Sequence, residues 1–386
     1  MNARDFHFEP PRKVLRRLQV LAGIGAVTFL AGLIFAPQRA WVNLLLVSYY
    51  GLGVALGGAV FIAVQYVSGA AWSVALRRVP EAMAAVLPLG GIGLLAVLLF
   101  RPSLYSWTNA AEAMPAFKRF WLDLSFFRGR AVLFLLLWMA VTWLMLRSSR
   151  MQDEDGDFRH TRRNIRLSAI FLVVFGVTYS LASYDWIMSL EPHWASTLFG
   201  MYNFAGLFVT GTAVLAILLV WLQRGPMNGI ITSHHVHDVG KLVFAFSTFW
   251  MYLWFSQYML IWYANIPEET VYYIRRLHGF WQPLFLLDMV LNWVVPFLAL
   301  LPRTNKKKPG VLVRVCVTLL VGRWLDLYLM IAPPFAGAKP QIGIWELGLM
   351  AGAVGVFALG FLAAVRRAPL VPVRDPHLGE SLHYHA

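Results

Sequence analysis

Few ionisable side chains fall inside the apolar stretches of this sequence, and their spacing suits proton transfer. Asp288 and Asn292 stand one helical turn apart, while Arg323 and Asp326, three residues apart, share one helix face. Asp185 lies near the end of another apolar stretch, with Glu191 and His193 just beyond it. A charge in hydrocarbon costs several kcal/mol unless it is paired, faces the helix bundle or lines water, so each is a functional candidate. A carboxyl group in such surroundings that no cation holds ionised can accept and release protons near neutral pH. Arg323 and Asp326 could equally form a structural ion pair locking two helices together. Asp288 has no obvious partner in its own helix, which favours a functional role.

The run His234-His235-Val236-His237-Asp238, followed by Lys241, precedes a further apolar stretch. It could bind a metal, but no cysteine or second histidine group lies nearby to complete a site. It could instead collect protons at a water boundary, since imidazoles titrate near neutral pH, or simply be a solvated loop. The aromatic stretch from Phe249 to Tyr263 offers Tyr252, Gln257 and Tyr258 as hydrogen-bonding groups for a quinone ring. Its other reading is an interfacial aromatic belt with helix packing. A b-type haem needs histidines facing each other inside a bundle, and here every histidine lies at the end of an apolar stretch or in a loop. Cys316, the single cysteine, can form neither an intrachain disulfide nor a four-thiolate cluster.

The elements that must position these residues are read from hydropathy. The 386 residues are 59% hydrophobic and 13% charged, against roughly one-quarter charged in an ordinary soluble domain. The solvent is therefore lipid, and the class is all-α integral membrane. The formal charge of +14 sits in short connectors, a topology signal that argues against nucleic-acid binding. About ten apolar stretches are long enough to cross the membrane: Leu18 to Ala36, Leu44 to Tyr66, Ala82 to Phe100, Ala131 to Leu146, Leu167 to Leu190, Leu198 to Leu222, Val239 to Tyr263, Phe280 to Leu301, Val311 to Ala332 and Ile344 to Val365. The fourth is short unless it begins near Phe126. The first resembles a signal peptide in its basic flank, but it is long enough to span and lacks a small-residue cleavage site.

Most of the 33 Lys and Arg fall on one side when connectors alternate, which predicts that both termini are cytoplasmic. The outward loop Arg101 to Arg130, with Trp107 and Trp121, is expected at the interface or against a partner, and the tail 369–386 as a cytoplasmic surface arm. Asp185 and Asp326 each precede a proline, Pro192 and Pro333, by the same interval. This echo predicts a parallel repeat of two four-helix bundles, 44–190 and 198–332, with two flanking helices in one membrane domain.

Three runs are distinctive: Ser183-Tyr184-Asp185-Trp186-Ile187-Met188-Ser189-Leu190-Glu191-Pro192-His193-Trp194, Ser233-His234-His235-Val236-His237-Asp238-Val239-Gly240-Lys241, and the stretch Trp250 to Asn265. They resemble the second NrfD-like (polysulfide-reductase-type) membrane subunit of bacterial alternative complex III, the ActF type. The resemblance is strongest from Asn164 to Pro334 and looser before it. It implies a subunit of a quinol:cytochrome c, or other periplasmic carrier, oxidoreductase in the bacterial inner membrane. Its implied partners are an NrfD-like paralogue, an iron–sulfur subunit, c-type cytochromes, small membrane subunits and membrane lipid. Haem c and iron–sulfur clusters would belong to those partners, and this chain would hold no cofactor of its own unless a quinone. In that family the paralogue is usually credited with the working quinol site, and this subunit is discussed as a proton-translocating or structural element.

The expected path runs from His237, Asp238 and Lys241 through Asp288, Arg323 and Asp326 to Asp185 and Glu191. A subunit with its own quinone site and a purely structural anchor are the alternatives. A lone secondary transporter fits less well, because no unwound Gly/Pro pair marks matching midplane positions.

Overall fold

The computed structural model describes residues 8–109 and 114–385; four residues of the Arg101 to Arg130 loop and Ala386 of the tail lie outside them. The chain is 82% helical, with no strand among the described residues. Its long helices are α1 (Arg12–Phe35), α2 (Pro37–Val67), α3 (Arg78–Phe100), α4 (Leu124–Asp155), α5 (Arg159–Trp186), α6 (Phe199–Gln223), α7 (Ser233–Ala264), α8 (Gly279–Leu300), α9 (Pro309–Ile331) and α10 (Ile344–Val365). Eight of them, all but α7 and α9, are long and apolar enough to cross a membrane, which makes this a multi-pass membrane protein. Helix α9 carries Arg314, Arg323 and Asp326, and α7 is rich in Trp and Tyr, so both are less apolar than the rest.

The fourth apolar stretch takes the longer of its two readings: α4 begins at Leu124, near Phe126, because the Asp123 side chain accepts hydrogen bonds from the Ser125 and Phe126 amides, a good N-cap. Helix α3 is broken between Ala84 and Leu87, just before Pro88, whose ring cannot continue an upstream helical ladder.

Lipid offers little hydrophobic drive for helix association, so small residues let the backbones approach. Gly57 of α2 faces Gly211 of α6, and Gly53 faces Leu207, so the two helices run parallel. Gly25 of α1 meets Gly352 of α10, while Gly32 meets Trp345, so that pair is antiparallel. Helix α2 is the most enclosed, packing on α3, α5, α6 and α10.

The tail is not a free surface arm. Leu370, Val371 and Ser381 are buried. Arg77 Nη1 donates to Asp375 Oδ2 at 2.5 Å, and Ser381 Oγ donates to the Trp72 carbonyl at 2.6 Å. The tail therefore straps the end of the bundle where α2 and α4 finish and α7 starts, here called the tail end. At the opposite end, Trp107 of the long loop is buried against Tyr105 and Phe127.

Candidate functional site

Of the eight expected path residues, the structure brings three together: Asp288, Arg323 and Asp326. All are buried, none more than 3% exposed. Arg323 Nη1 and Asp326 Oδ2 form an ion pair within α9, and the Tyr202 hydroxyl from α6 donates to Asp326 Oδ1. The ion pair expected of a structural role is thus present, but because both partners sit on α9 it joins no two helices. Tyr202 makes that join.

Asp288, contrary to the sequence reading, has a partner in its own helix. Asn292 Nδ2 donates to Asp288 Oδ1 at 2.7 Å. Among the described residues Asp288 forms no ion pair, yet the charges of Arg323 and Asp326 act on it directly. A second buried carboxylate therefore stands within electrostatic reach of a guanidinium that pairs with Asp326.

The local backbone explains how Asn292 reaches inward. Pro296 has no amide hydrogen, so it cannot bond the Asn292 carbonyl four residues earlier. Ser247 Oγ of α7 donates to that carbonyl at 2.6 Å, and the helix widens into a π turn over Val290–Val294. Such turns recur at functional sites because they re-aim side chains. Two glycines make room. A Cβ at Gly322 would approach the Asn292 amide carbon to 2.9 Å, and one at Gly206 would collide with the Arg323 guanidinium. Arg323 Nε and Asn292 Oδ1 are buried without a hydrogen-bond partner among the described residues, the polarity that ordered water satisfies in membrane interiors.

Beside this cluster lies a second polar group. The Tyr49 and Tyr179 hydroxyls are 3.1 Å apart, and Tyr49 also donates to Asn203 Oδ1 at 3.3 Å. Arg323 acts electrostatically on both tyrosines. Tyrosine hydroxyls can relay protons without carrying charge, because each is both donor and acceptor.

The other expected residues lie apart from the cluster. Asp185 is held by Arg130 of α4 at 2.9 Å (Nε to Oδ2) and 3.1 Å (Nη2 to Oδ1), and Trp121 Nε1 donates to Oδ1 at 2.8 Å. Glu191 pairs with Arg276 at 2.7 Å and Arg275 at 3.2 Å, both on the short helix Pro267–Leu277. Arg276 also donates to the Leu329 carbonyl at the end of α9, so this corner is heavily cross-tied. At the tail end, Lys241 Nζ lies 2.7 Å from Asp238 Oδ1 and His237 Nδ1 lies 3.5 Å from it, while the Tyr384 hydroxyl donates to Asp238 Oδ2 at 2.6 Å.

Of the three residues considered for quinone, Tyr252 stands apart from the other two, which meet at Tyr273. Tyr252 is 63% exposed on the outside of α7. Gln257 is buried, five residues on and far around the helix; it accepts from Ser196 Oγ and donates to the Tyr273 hydroxyl, each at 3.1 Å. Tyr258 packs on Trp254 and Tyr273. A large cavity of about 600 Å³ does open elsewhere, between α1, α2, α6, α9 and α10, but its wall is hydrocarbon. The Tyr50 hydroxyl at its edge already donates to the Leu320 carbonyl at 3.0 Å. Such a cavity suits a lipid or isoprenoid tail, not a quinone head that needs hydrogen-bond donors.

No family model matches the chain, and no curated protein matches it. What the cluster can do follows from its own chemistry: with Arg323 charged, the three ionisable groups are electrically balanced when Asp288 and Asp326 together hold one proton.

Proposed function

We propose that this chain is a proton-carrying membrane subunit of a quinol:periplasmic electron carrier oxidoreductase, of the NrfD-like type found in alternative complex III. One observation carries the reading: Asp288, a buried carboxylate with no ion pair among the described residues, lies within electrostatic reach of the buried Arg323–Asp326 pair. A purely structural ion pair needs one acid for one base, since an extra buried charge is costly. The additional acid supplies a site that can load and unload a proton, and Asn292, Tyr202 and the Tyr49–Tyr179 pair are the groups through which it would exchange.

In this reading α7 and α9 complete ten spans, and the parallel contact of α2 with α6 at Gly57 and Gly211 supports two related four-helix units. Both termini would face the cytoplasm of a bacterium, with Asp238 at the inner mouth of the path and Asp185 and Glu191 towards the outer end. Electron carriers, haem c and iron–sulfur clusters, and the working quinol site would belong to partner subunits. Quinol oxidation there would bias the Asp288–Asp326 proton through the packed interface.

The test replaces Asp288 with Asn, which keeps shape and the hydrogen bond to Asn292 while removing the proton site. In vesicles containing the assembled complex, quinol turnover should persist while the protons moved per electron fall. Unchanged stoichiometry would leave only a scaffold role.

A further inference from the structure

A separate cavity of about 480 Å³ lies at the tail end, between α3, α4 and the residues just after α10. One face of α4 lines it in a continuous stripe: Thr142, Leu146, Arg150 and Glu154 at four-residue steps, with Trp143 and Arg147 beside them. Arg367 closes the rim. None of Arg147, Arg150 and Arg367 forms an ion pair among the described residues. Arg150 is half-buried, attracted by Glu81 and close enough to Arg78 and Arg367 to be repelled by both. Arg78 is already neutralised by Glu81 at 2.5 Å and by Asp153, so those acids are engaged. Three cations therefore face the cavity against one acid, Glu154.

Deeper along the same stripe, Thr142 is 3% exposed and its Oγ1 has no hydrogen-bond partner among the described residues. It lies roughly 7 Å of helix rise below Arg147. Leu87 and Leu146 floor the cavity, and Trp143 projects at its side with 55% of its surface exposed. Cations at the rim, a buried hydroxyl below them and an apolar floor form a graded sequence of chemistries.

We infer that this cavity binds an anionic phospholipid. Its phosphodiester would sit among the three guanidinium groups, whose planar donor forks match phosphate oxygens. The buried Thr142 hydroxyl would donate to an ester carbonyl, and an acyl chain would cover Leu146 and the indole of Trp143. Basic pockets between membrane helices bind acidic headgroups in this way. A free phosphate ion would satisfy the arginines but leave Thr142 and the apolar floor uncovered, so the lipid is the occupant that uses every wall.

The test uses full-length protein, stripped of lipid in neutral detergent and titrated with phosphatidylglycerol, phosphatidylcholine or inorganic phosphate, with adducts counted by native mass spectrometry. Phosphatidylglycerol should bind at least about tenfold more tightly than phosphatidylcholine, and equimolar inorganic phosphate should not displace it. Replacing Arg147, Arg150 and Arg367 with Gln should abolish the preference. Arg367→Gln alone, in the turn beyond α10, should reduce it about fivefold without burdening the fold. Equal uptake of the two lipids, displacement by phosphate, an undiminished preference in the Arg367→Gln protein, or a preference that survives the triple replacement would overturn the assignment.

Discussion

Tyr202 of α6 donates its hydroxyl to Asp326 of α9, and this bond, not the Arg323–Asp326 pair, ties two helices together at the buried charges. Removing the hydroxyl leaves one lobe of a buried carboxylate without its donor. Tyr202→Phe should therefore cost about 1–3 kcal/mol of stability with the helix packing kept. Thermal unfolding in detergent measures it; a loss well under 1 kcal/mol would mean that another group already satisfies Asp326.

Gly206 gives the guanidinium of Arg323 its space. A methyl group there forces the arginine away from Asp326 or pushes α6 off α9, an overpacking cost of about 1–3 kcal/mol. Gly206→Ala should lower the unfolding temperature, whereas Gly51→Ala, where an added Cβ meets nothing, should not. Equal behaviour of the two variants would show that the close approach is relieved at no cost.

At the opposite end, Asp185 is locked by Arg130 through two hydrogen bonds, with both side chains buried. Arg130→Met should destabilise by about 3–5 kcal/mol because it strands a buried carboxylate. Adding Asp185→Asn should recover a large part of that loss, since the stranded charge is then gone. A double variant as unstable as the single one would show that Arg130 acts through packing on Trp121 and Phe126, whose rings lie 4.1 and 4.4 Å from its guanidinium carbon.

The docking of the tail at Asp238 should be lost at both pH extremes. Asp238 precedes the apolar part of α7. Burial opposes its charge, but Lys241 and the Tyr384 hydroxyl outweigh that and hold its carboxyl below the usual range. Its contribution is therefore present above the ordinary carboxylate range and disappears as pH falls through the lowered value. Tyr384 is pushed up to about 12, chiefly by its hydrogen bond to Asp238 and then by burial. Its contribution is full below the ordinary phenol value and is lost as pH rises towards 12. Hydrogen exchange of residues 378–385 should stay slow between these limits and quicken outside them; exchange independent of pH after correction for intrinsic rates would contradict the docking.

Much of this architecture was legible from hydropathy, because a span must be continuously apolar over its length. The pairing of Arg323 with Asp326 was legible as well, since three-residue spacing puts both on one helix face. What the sequence concealed was partnership across helices. Nothing near Asp185 announces Arg130, 55 residues away, and nothing near Asp326 announces Tyr202, 124 residues away. Asn292 was visible as a neighbour of Asp288, but its inward aim depends on the turn widened by Pro296 and supported by Ser247. The tail read as a surface arm because it is polar on average. Its docking rests on a handful of residues, Leu370, Val371, Asp375, Ser381 and Tyr384, which averaging dilutes.

In the proposed function Asp288 and Asp326 share one proton opposite Arg323. Infrared difference spectroscopy of the protonated-carboxyl carbonyl stretch, comparing the native protein with Asp288→Asn at neutral pH, reads that proton directly. The native protein should show a carboxylic-acid band that is missing from the variant, and missing again in Asp326→Asn. Identical spectra in the carboxylic-acid region for all three proteins would contradict it.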